Sequence, residues 1–284
     1  MENVYVQNTW IEELNGLELG IMASLNYIKG NNDKFYFSQT ILQDILFDDV
    51  VNNQRKVKLI NDTIQNLINN KFIKILTTYG SGKNTTYVCD TNSVSIQENQ
   101  TYTYLTLDTF KITSKLNIDM LKYLFAIGAT FNNKTRVGYS SIDNICKNYD
   151  LNKSTFIRYE KIFEKNKILY IYHHKATTNK NGKIKTPNNN YGEYNNKENV
   201  ITVANEYLEK IKNQKEDIIN QTFEGGRSVK QRYNAFVRGV KYNDKQIKLL
   251  IEDCLIYNEF YNNRYKLFHY TSDLNKQLDM NVFK

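Results

Sequence analysis

The sequence has very little proline and cysteine. Its 284 residues include one proline, Pro187, and three cysteines, Cys89, Cys146 and Cys254. The cysteines are far apart and odd in number, and none forms a CxxC pair. They therefore predict neither a disulfide framework nor a zinc site, and they favour a reducing, cytoplasmic compartment.

Long apolar runs are missing as well. No stretch approaches the ~20 apolar residues that a membrane-spanning helix needs. The first residues, MENVYVQNTWIEEL, lack the basic head and apolar run of a signal peptide. We therefore expect a cytoplasmic chain with no membrane partner.

Motifs that would indicate catalysis or a cofactor are also lacking. The GSGK segment at 80–83 does not have the GxxxxGK(S/T) frame of a phosphate-binding loop and falls in an expected hairpin turn. His173 and His174 are adjacent, so on a strand they point to opposite faces, and no third ligand lies nearby in the sequence. We expect no enzymatic activity, no cofactor and no metal.

The charge balance is basic. There are 38 Lys and Arg against 30 Asp and Glu, for a net charge of +8 and an isoelectric point near 9.1. Nucleic acid is the commonest acidic partner of a basic soluble chain, although basicity alone is weak support for it. The length suits two small domains or one large one.

The first part of the chain is typical of three helices followed by a β-hairpin. The first helix ends at Gly30, Ser38 is a cap for the second, and apolar residues at helical spacing predict a third over 53–69. Segments 72–79 and 84–89 predict two strands joined by a glycine-containing turn.

The same order recurs later in the chain. The run TYTYLTLDTF at 101–110 alternates like a strand, and a helix is predicted from about Ser114 to Ile127. The stretch 138–174 then predicts a short helix from near Ser140, a turn, a second helix, and a strand from Ile168. A basic segment suggesting a long second wing follows, and a further helix is predicted from Val200 to about Asn213.

These patterns predict an α+β fold that is mainly helical, with small β-hairpins. The repeated order of helices and hairpin is that of two tandem winged helix-turn-helix units, at 1–92 and 101–214. The polar stretch 90–100 is expected to link two separate cores. A basic helical appendage is expected at 225–284.

The helix at 153–165 carries the best candidate DNA-binding face. Its aromatic residues Phe156, Tyr159 and Phe163 fall on one side of a helical wheel. Long donors on the other side suit base edges and phosphates, whereas the alternative is an ordinary solvated lysine face. Glu160 and Glu164 flank the apolar side and reduce the positive field. The predicted contacts are Lys153, Ser154, Arg158, Lys161 and Lys165.

Three further groups of cations are candidate DNA contacts with weaker support. In the helix at 53–69, Asp62 would repel phosphate, so packing or dimerisation is as good an interpretation there as DNA contact. The second wing and the C-terminal region suit contacts with phosphates rather than bases. The candidates are Arg55 and Lys58 in the helix, Lys175, Lys180, Lys183 and Lys185 in the wing, and Arg227, Lys230 and Arg232 in the C-terminal region.

Two stretches, LINNKFIKIL and FEKNKILYIYHH, resemble the passage from the third helix of a winged helix into its wing. With two tandem units and a basic tail, the chain resembles replication initiators of plasmids and mobile elements of low-GC bacteria. That resemblance implies binding to repeated origin sites on double-stranded DNA and contact with host replication proteins, with one unit reading DNA and the other forming dimer or further DNA contacts. A transcription or copy-control regulator and a replisome-organising interaction protein remain alternatives, and a homodimer is left open.

Overall fold

The computed structural model describes residues 2–47, 54–81, 85–174, 177–178, 184–185, 187–213, 217–218, 247–248 and 250–251. These residues combine helices with small antiparallel sheets, so the expected mixture of α and β structure is confirmed. The chain divides into two compact units. One consists of residues 1–172 and 189–201, and the other of residues 173–188 and 202–284.

The first half of the first unit runs strand, two helices, strand, two helices, two strands. Its elements are β1 (Asn3–Gln7), α1 (Asn8–Glu13), α2 (Gly16–Ile28), β2 (Lys34–Ser38), α3 (Gln39–Phe47), α4 (Gln54–Asn69), β3 (Ile75–Tyr79) and β4 (Thr86–Asp90). In the sheet, β4 lies between β2 and β3 and is antiparallel to both. The strand β2 was not predicted from the sequence.

The second half repeats this order. Its elements are β5 (Tyr102–Thr106), α5 (Leu107–Leu116), α6 (Met120–Gly128), β6 (Gly138–Tyr139), α7 (Ile142–Asn148), α8 (Lys153–Lys165), β7 (Leu169–Tyr172) and, after two short strands, β10 (Asn190–Glu193). In this sheet β10 lies between β6 and β7. The last strand of each repeat thus pairs with the strand that precedes its third helix.

The remaining described elements follow β7 in the chain. In the second unit β8 (Thr177–Thr178) pairs with both β9 (Ile184–Lys185) and β11 (Asp217–Ile218). The helix α9 spans Lys197–Asn213, which confirms the predicted helix and extends it toward the N-terminus. Most of the expected helical appendage at 225–284 lies outside the described residues.

The two repeats share one core, which corrects the expectation of two separate cores. Strand β1 pairs with β5 along its full length, from Asn3 opposite Thr106 to Gln7 opposite Tyr102. Each strand has a buried apolar face and belongs to none of the three-stranded sheets, so each supplies the other's backbone partners. A single cluster of buried apolar residues extends from Val4 to Tyr191.

The stretch 90–100 is packed against this core and is not a free linker. Its residues 91–94 form a 3-10 turn, and Val94 is fully buried. The Val94 carbonyl accepts a hydrogen bond from Asn26 Nδ2 at 2.8 Å, and the Ser95 carbonyl accepts one from Gln7 Nε2 at 2.9 Å. Polar side chains of α2 and β1 therefore satisfy backbone carbonyls of this buried turn.

The boundary between β5 and α5 also differs from the prediction, which continued the strand to residue 110. Thr106 ends the strand because its Oγ1 accepts the Thr109 N–H and caps the helix. The single helix predicted from about Ser114 is in fact α5 followed by α6. Between them, Asn117 Oδ1 accepts the Asp119 N–H at 2.9 Å and forms a local turn.

Helix α2 packs very closely against the turn between α5 and α6. A Cβ atom at Gly16 would lie 2.5 Å from Asp119 Cα and 2.7 Å from the Ile118 carbonyl oxygen. Both neighbours are backbone atoms, so neither can rotate away. The sequence signal for this contact is a glycine in the first turn of a helix, directly after the capping residue Asn15.

We expect Gly16→Ala to lower the free energy of unfolding by about 1–3 kcal/mol, because the added methyl forces the two segments apart. Urea denaturation monitored by circular dichroism measures the loss. Asn144→Ala, at an exposed position in the first turn of α7, is the control and should leave the midpoint nearly unchanged. Equal midpoints for both variants and the wild type would contradict the close approach.

Candidate nucleic-acid interface

Helix α8 starts where the sequence predicts it and follows a short turn after α7. Asn152 caps it, since its Oδ1 accepts the Thr155 N–H at 3.0 Å and the Ser154 hydroxyl at 2.6 Å. Ser141 caps α7 in the same way, through the Asn144 N–H at 3.1 Å. Local capping therefore sets where both helices begin.

The aromatic side of α8 is buried as the sequence predicts. Phe156 is 1% exposed and Phe163 is fully buried. The ring of Tyr123, from α6, lies edge-on to Tyr159 with centroids 4.9 Å apart, and it also contacts Phe156 at 6.2 Å. These contacts fix the rotation of α8 about its axis and so decide which side chains face outward.

Glu160 does not lie beside the outward face, contrary to the prediction that it dilutes the positive field there. It is only 6% exposed, and its Oε1 accepts the Tyr191 O–H at 3.0 Å. Burial, then the Glu160 charge and the hydrogen bond to it, raise the pKa of Tyr191 far above its usual value, so the hydroxyl remains a donor. The bond joins α8 to strand β10.

The outward face of α8 carries the predicted donors. Ser154, Arg158, Lys161 and Lys165 are all exposed. The Arg158 guanidinium lies 5.1 Å from the centroid of the Tyr159 ring, which supports its stem without occupying its donors. We define these four side chains as the α8 face.

Lys153 is a predicted contact, but its pairing with Asp143 and the exposure of Ile157 beside the α8 face were not identified from the sequence. Lys153 forms an ion pair with Asp143 of α7 at 2.5 Å, and both side chains are exposed, so this pair competes with a phosphate for the lysine. Ile157 is 37% exposed beside Arg158. An outward isoleucine at helical spacing is visible on the wheel, but the pairing with Asp143 depends on how α7 crosses α8.

Helix α4 occupies the corresponding place in the first repeat. Its buried residues Ile60, Thr63, Ile64 and Leu67 have the same spacing as Phe156, Tyr159, Glu160 and Phe163 of α8. When the buried positions are superposed, Asp62 takes the place of Arg158 and Gln65 that of Lys161. Arg55 and Lys58 are exposed, but the face of α4 is close to neutral.

The remaining predicted contacts are only partly placed. Lys185 lies in β9, where the backbone alone is described. The predicted residues outside the described ranges are Lys175, Lys180, Lys183, Arg227, Lys230 and Arg232.

The two histidines follow the end of β7, at Tyr172, and differ in exposure. His173 is exposed and His174 is 5% exposed, with its ring 5.0 Å from that of Tyr207. No group of three His, Cys, Asp or Glu suited to a metal occurs within the described ranges. None of the helices described there is long and apolar enough to cross a membrane.

Comparison with known proteins finds no matching family model, curated protein or solved structure. The function is therefore inferred from the residues and geometry of the chain itself.

Proposed function

We propose that the chain is a sequence-specific binder of double-stranded DNA that initiates replication at repeated origin sites of a plasmid or mobile element. The observation that carries this proposal is the α8 face. It is an outward row of long donors on the second helix of a helix-turn-helix pair, and aromatic packing holds it in place. Such a helix enters the major groove in known DNA readers.

Each repeat is proposed to be a winged helix-turn-helix unit. In both repeats the last three of the four helices are followed by two antiparallel strands, and the last strand lies between its predecessor and the strand that separates the second helix from the third. In known winged helices the wing contacts the phosphate backbone beside the reading helix. The wing segment between β7 and β10 contains the lysines at 175, 180, 183 and 185.

Within the second repeat, the α8 face offers three kinds of contact. Arg158 has the planar fork that pairs with a guanine edge, and Ser154 lies one turn earlier as a shorter donor. Lys161 and Lys165 suit phosphates further along the helix. Ile157 adds an apolar group of the kind that contacts a thymine methyl.

The first repeat is proposed to have the lesser role in DNA reading. Asp62 stands where α8 has Arg158, and a carboxylate at that place repels phosphate at short range. The contribution of this repeat is a second, weaker DNA contact or a homodimer contact. Because β1 and β5 join the two repeats in one core, the first repeat is held in a defined position relative to α8.

Initiation is distinguished from regulation by a replication assay. The gene and its flanking DNA are placed on a circular DNA that carries a selectable marker and no other replication origin. Transformants are then counted in a low-GC bacterial host. The proposed initiator yields replicating circles, and Arg158→Ala with Lys161→Ala abolishes them. A chain that binds its flanking repeats but yields no circles is a transcription or copy-control regulator, and host replication proteins are then not its partners.

The basic region from Arg227 onward is proposed to strengthen DNA binding without setting sequence choice. Seven cations over a short span, at irregular spacing, suit neutralisation of phosphates. Truncation before Gly225 should weaken binding to every duplex by a similar factor and flatten the dependence on salt by about 0.9 in log-log slope for each lost contact. Binding titrations on a selected and a scrambled duplex measure both effects. A truncated chain that loses only its sequence preference would contradict this role.

A further inference from the structure

An open cleft lies beside the β1–β5 ribbon, at the C-terminal end of α2. Its volume is about 360 Å³, and its lining includes Tyr5, Asn26, Tyr27, Lys29 and Ile96. None of these residues belongs to the α8 face or to the other predicted DNA contacts. The volume falls within the range of small-molecule sites in proteins, which is roughly 300–1,000 Å³.

Lys29 places a cation without an acidic partner in this cleft. Its ammonium is partly buried and donates a hydrogen bond to the Ser95 hydroxyl at 2.8 Å. Among the described residues it forms no ion pair, and burial lowers its pKa. In the same region the carboxylate of Glu2 accepts the Tyr27 hydroxyl at 2.5 Å. A partly desolvated ammonium without a counter-ion favours an anionic ligand.

Asn26 provides an acceptor at the same place. The residue is only 8% exposed, and its Nδ2 donates to the Val94 carbonyl at 2.8 Å, which fixes the plane of the amide. Its Oδ1 accepts no hydrogen bond from any described residue, and the residue lines the cleft. An amide oxygen whose plane is fixed in this way and that is open to solvent is ready to accept from a ligand that donates an N–H group.

Tyr5 provides an aromatic wall. Its ring is half-buried, with centroid distances of 5.4 Å to Tyr104 and 6.0 Å to Tyr102. The ribbon and these two neighbours hold the ring in place, so little entropy is lost when a planar group stacks on it. Nucleobases stack on aromatic side chains of this kind whatever their sequence, because every base has a π-face.

We infer that this cleft binds a nucleotide whose base carries an exocyclic amine. The base stacks against Tyr5, the amine donates to Asn26 Oδ1, and a phosphate pairs with the Lys29 ammonium. Adenine, cytosine and guanine carry such an amine, whereas thymine does not. A free nucleotide and a base of single-stranded DNA offer this same chemistry.

The test is a calorimetric titration of the full chain with ATP, TTP, tripolyphosphate and a twelve-residue oligodeoxyadenylate. Lys29→Met removes the charge and keeps the aliphatic stem, whereas Lys29→Arg keeps the charge. Lys134→Met makes the same charge change at an exposed position outside the cleft. Circular dichroism confirms that each variant is folded. Duplex DNA is not used, so the outcome does not depend on the proposed initiator function.

The inference predicts that ATP binds more tightly than TTP or tripolyphosphate. Lys29→Met should weaken ATP about tenfold or more, while Lys29→Arg and Lys134→Met stay close to the wild type. Binding of the oligonucleotide but not of ATP, with the same loss in Lys29→Met, also supports the site and assigns it to single strands. The inference is overturned if neither ligand binds, if tripolyphosphate matches ATP, or if Lys29→Met binds like Lys134→Met.

Discussion

Glu193→Ala is expected to lower the free energy of unfolding by about 3–5 kcal/mol, because it leaves the partly buried cation of Arg136 without its counter-ion. Glu193 is 5% exposed at the end of β10. Its Oε2 accepts the Thr106 N–H at 2.9 Å and the Thr106 hydroxyl at 2.7 Å, and its Oε1 accepts from Arg136 Nη2 at 3.4 Å. Three donors therefore lose their acceptor together.

Several contacts hold the Arg136 side chain in place, so it does not turn out into water when the Glu193 carboxylate is removed. Its Nη2 donates to the Tyr104 carbonyl at 2.6 Å, and its guanidinium lies 3.6 Å from the centroid of the Tyr104 ring. Its backbone has φ +56°, in the left-handed region, and Asn196 Nδ2 donates to its carbonyl at 3.1 Å. Tyr104 is paired with Tyr5, so these contacts connect β10 to the β1–β5 strand pair, which joins both repeats.

Chemical denaturation of Glu193→Ala, Glu193→Gln and the wild type measures this contribution. The glutamine keeps an acceptor for Thr106 but not the charge, so its loss should be smaller than that of alanine. Glu98→Ala removes a carboxylate at an exposed position and should change stability by less than about 0.5 kcal/mol. A loss below about 1 kcal/mol for Glu193→Ala would contradict the account of a buried ion pair.

Arg158→Ala is expected to cost about 1–3 kcal/mol of binding free energy on the cognate duplex and to relax preference at one base pair. The side chain is exposed at the centre of the α8 face, opposite the buried Phe156 and Phe163, so the fold should tolerate the change. A guanidinium fork pairs with two acceptors of guanine at once, which is why its loss should be specific to one position.

Lys165→Ala is the matched control for that experiment. It removes one exposed cation from the same face, near the C-terminal end of the helix, where a phosphate contact is expected. It should weaken a selected and a scrambled duplex by the same factor and reduce the salt slope by about one. If Arg158→Ala behaves in the same way, Arg158 contacts phosphate only.

The local part of this structure could be predicted from the sequence. The bounds of α8 and its buried aromatic side follow from capping and from a period of 3.6 residues, both of which depend on neighbours within a few positions. Hairpin β3–β4 follows from two apolar strands around a glycine-containing turn for the same reason.

The long-range part could not be predicted in this way. The pairing of β1 with β5 joins segments far apart in the chain, and neither five-residue strand shows which partner it takes. The burial of Glu160 depends on Tyr191 in β10, and the cap at Thr106 depends partly on Glu193 at the end of the same strand. A periodic pattern gives the face of one element but not the polar partners that another element brings to it.

The central proposal, that the α8 face reads duplex DNA, is tested most directly by selection from a pool of random duplexes. The full-length chain and a variant with Ser154→Ala, Arg158→Ala and Lys161→Ala are taken through the same rounds of selection and sequencing at two salt concentrations. The account predicts that the wild type enriches one sequence motif at both salt concentrations and that the variant enriches none. Failure of the wild type to enrich a motif, or enrichment of the same motif by both proteins, would contradict it.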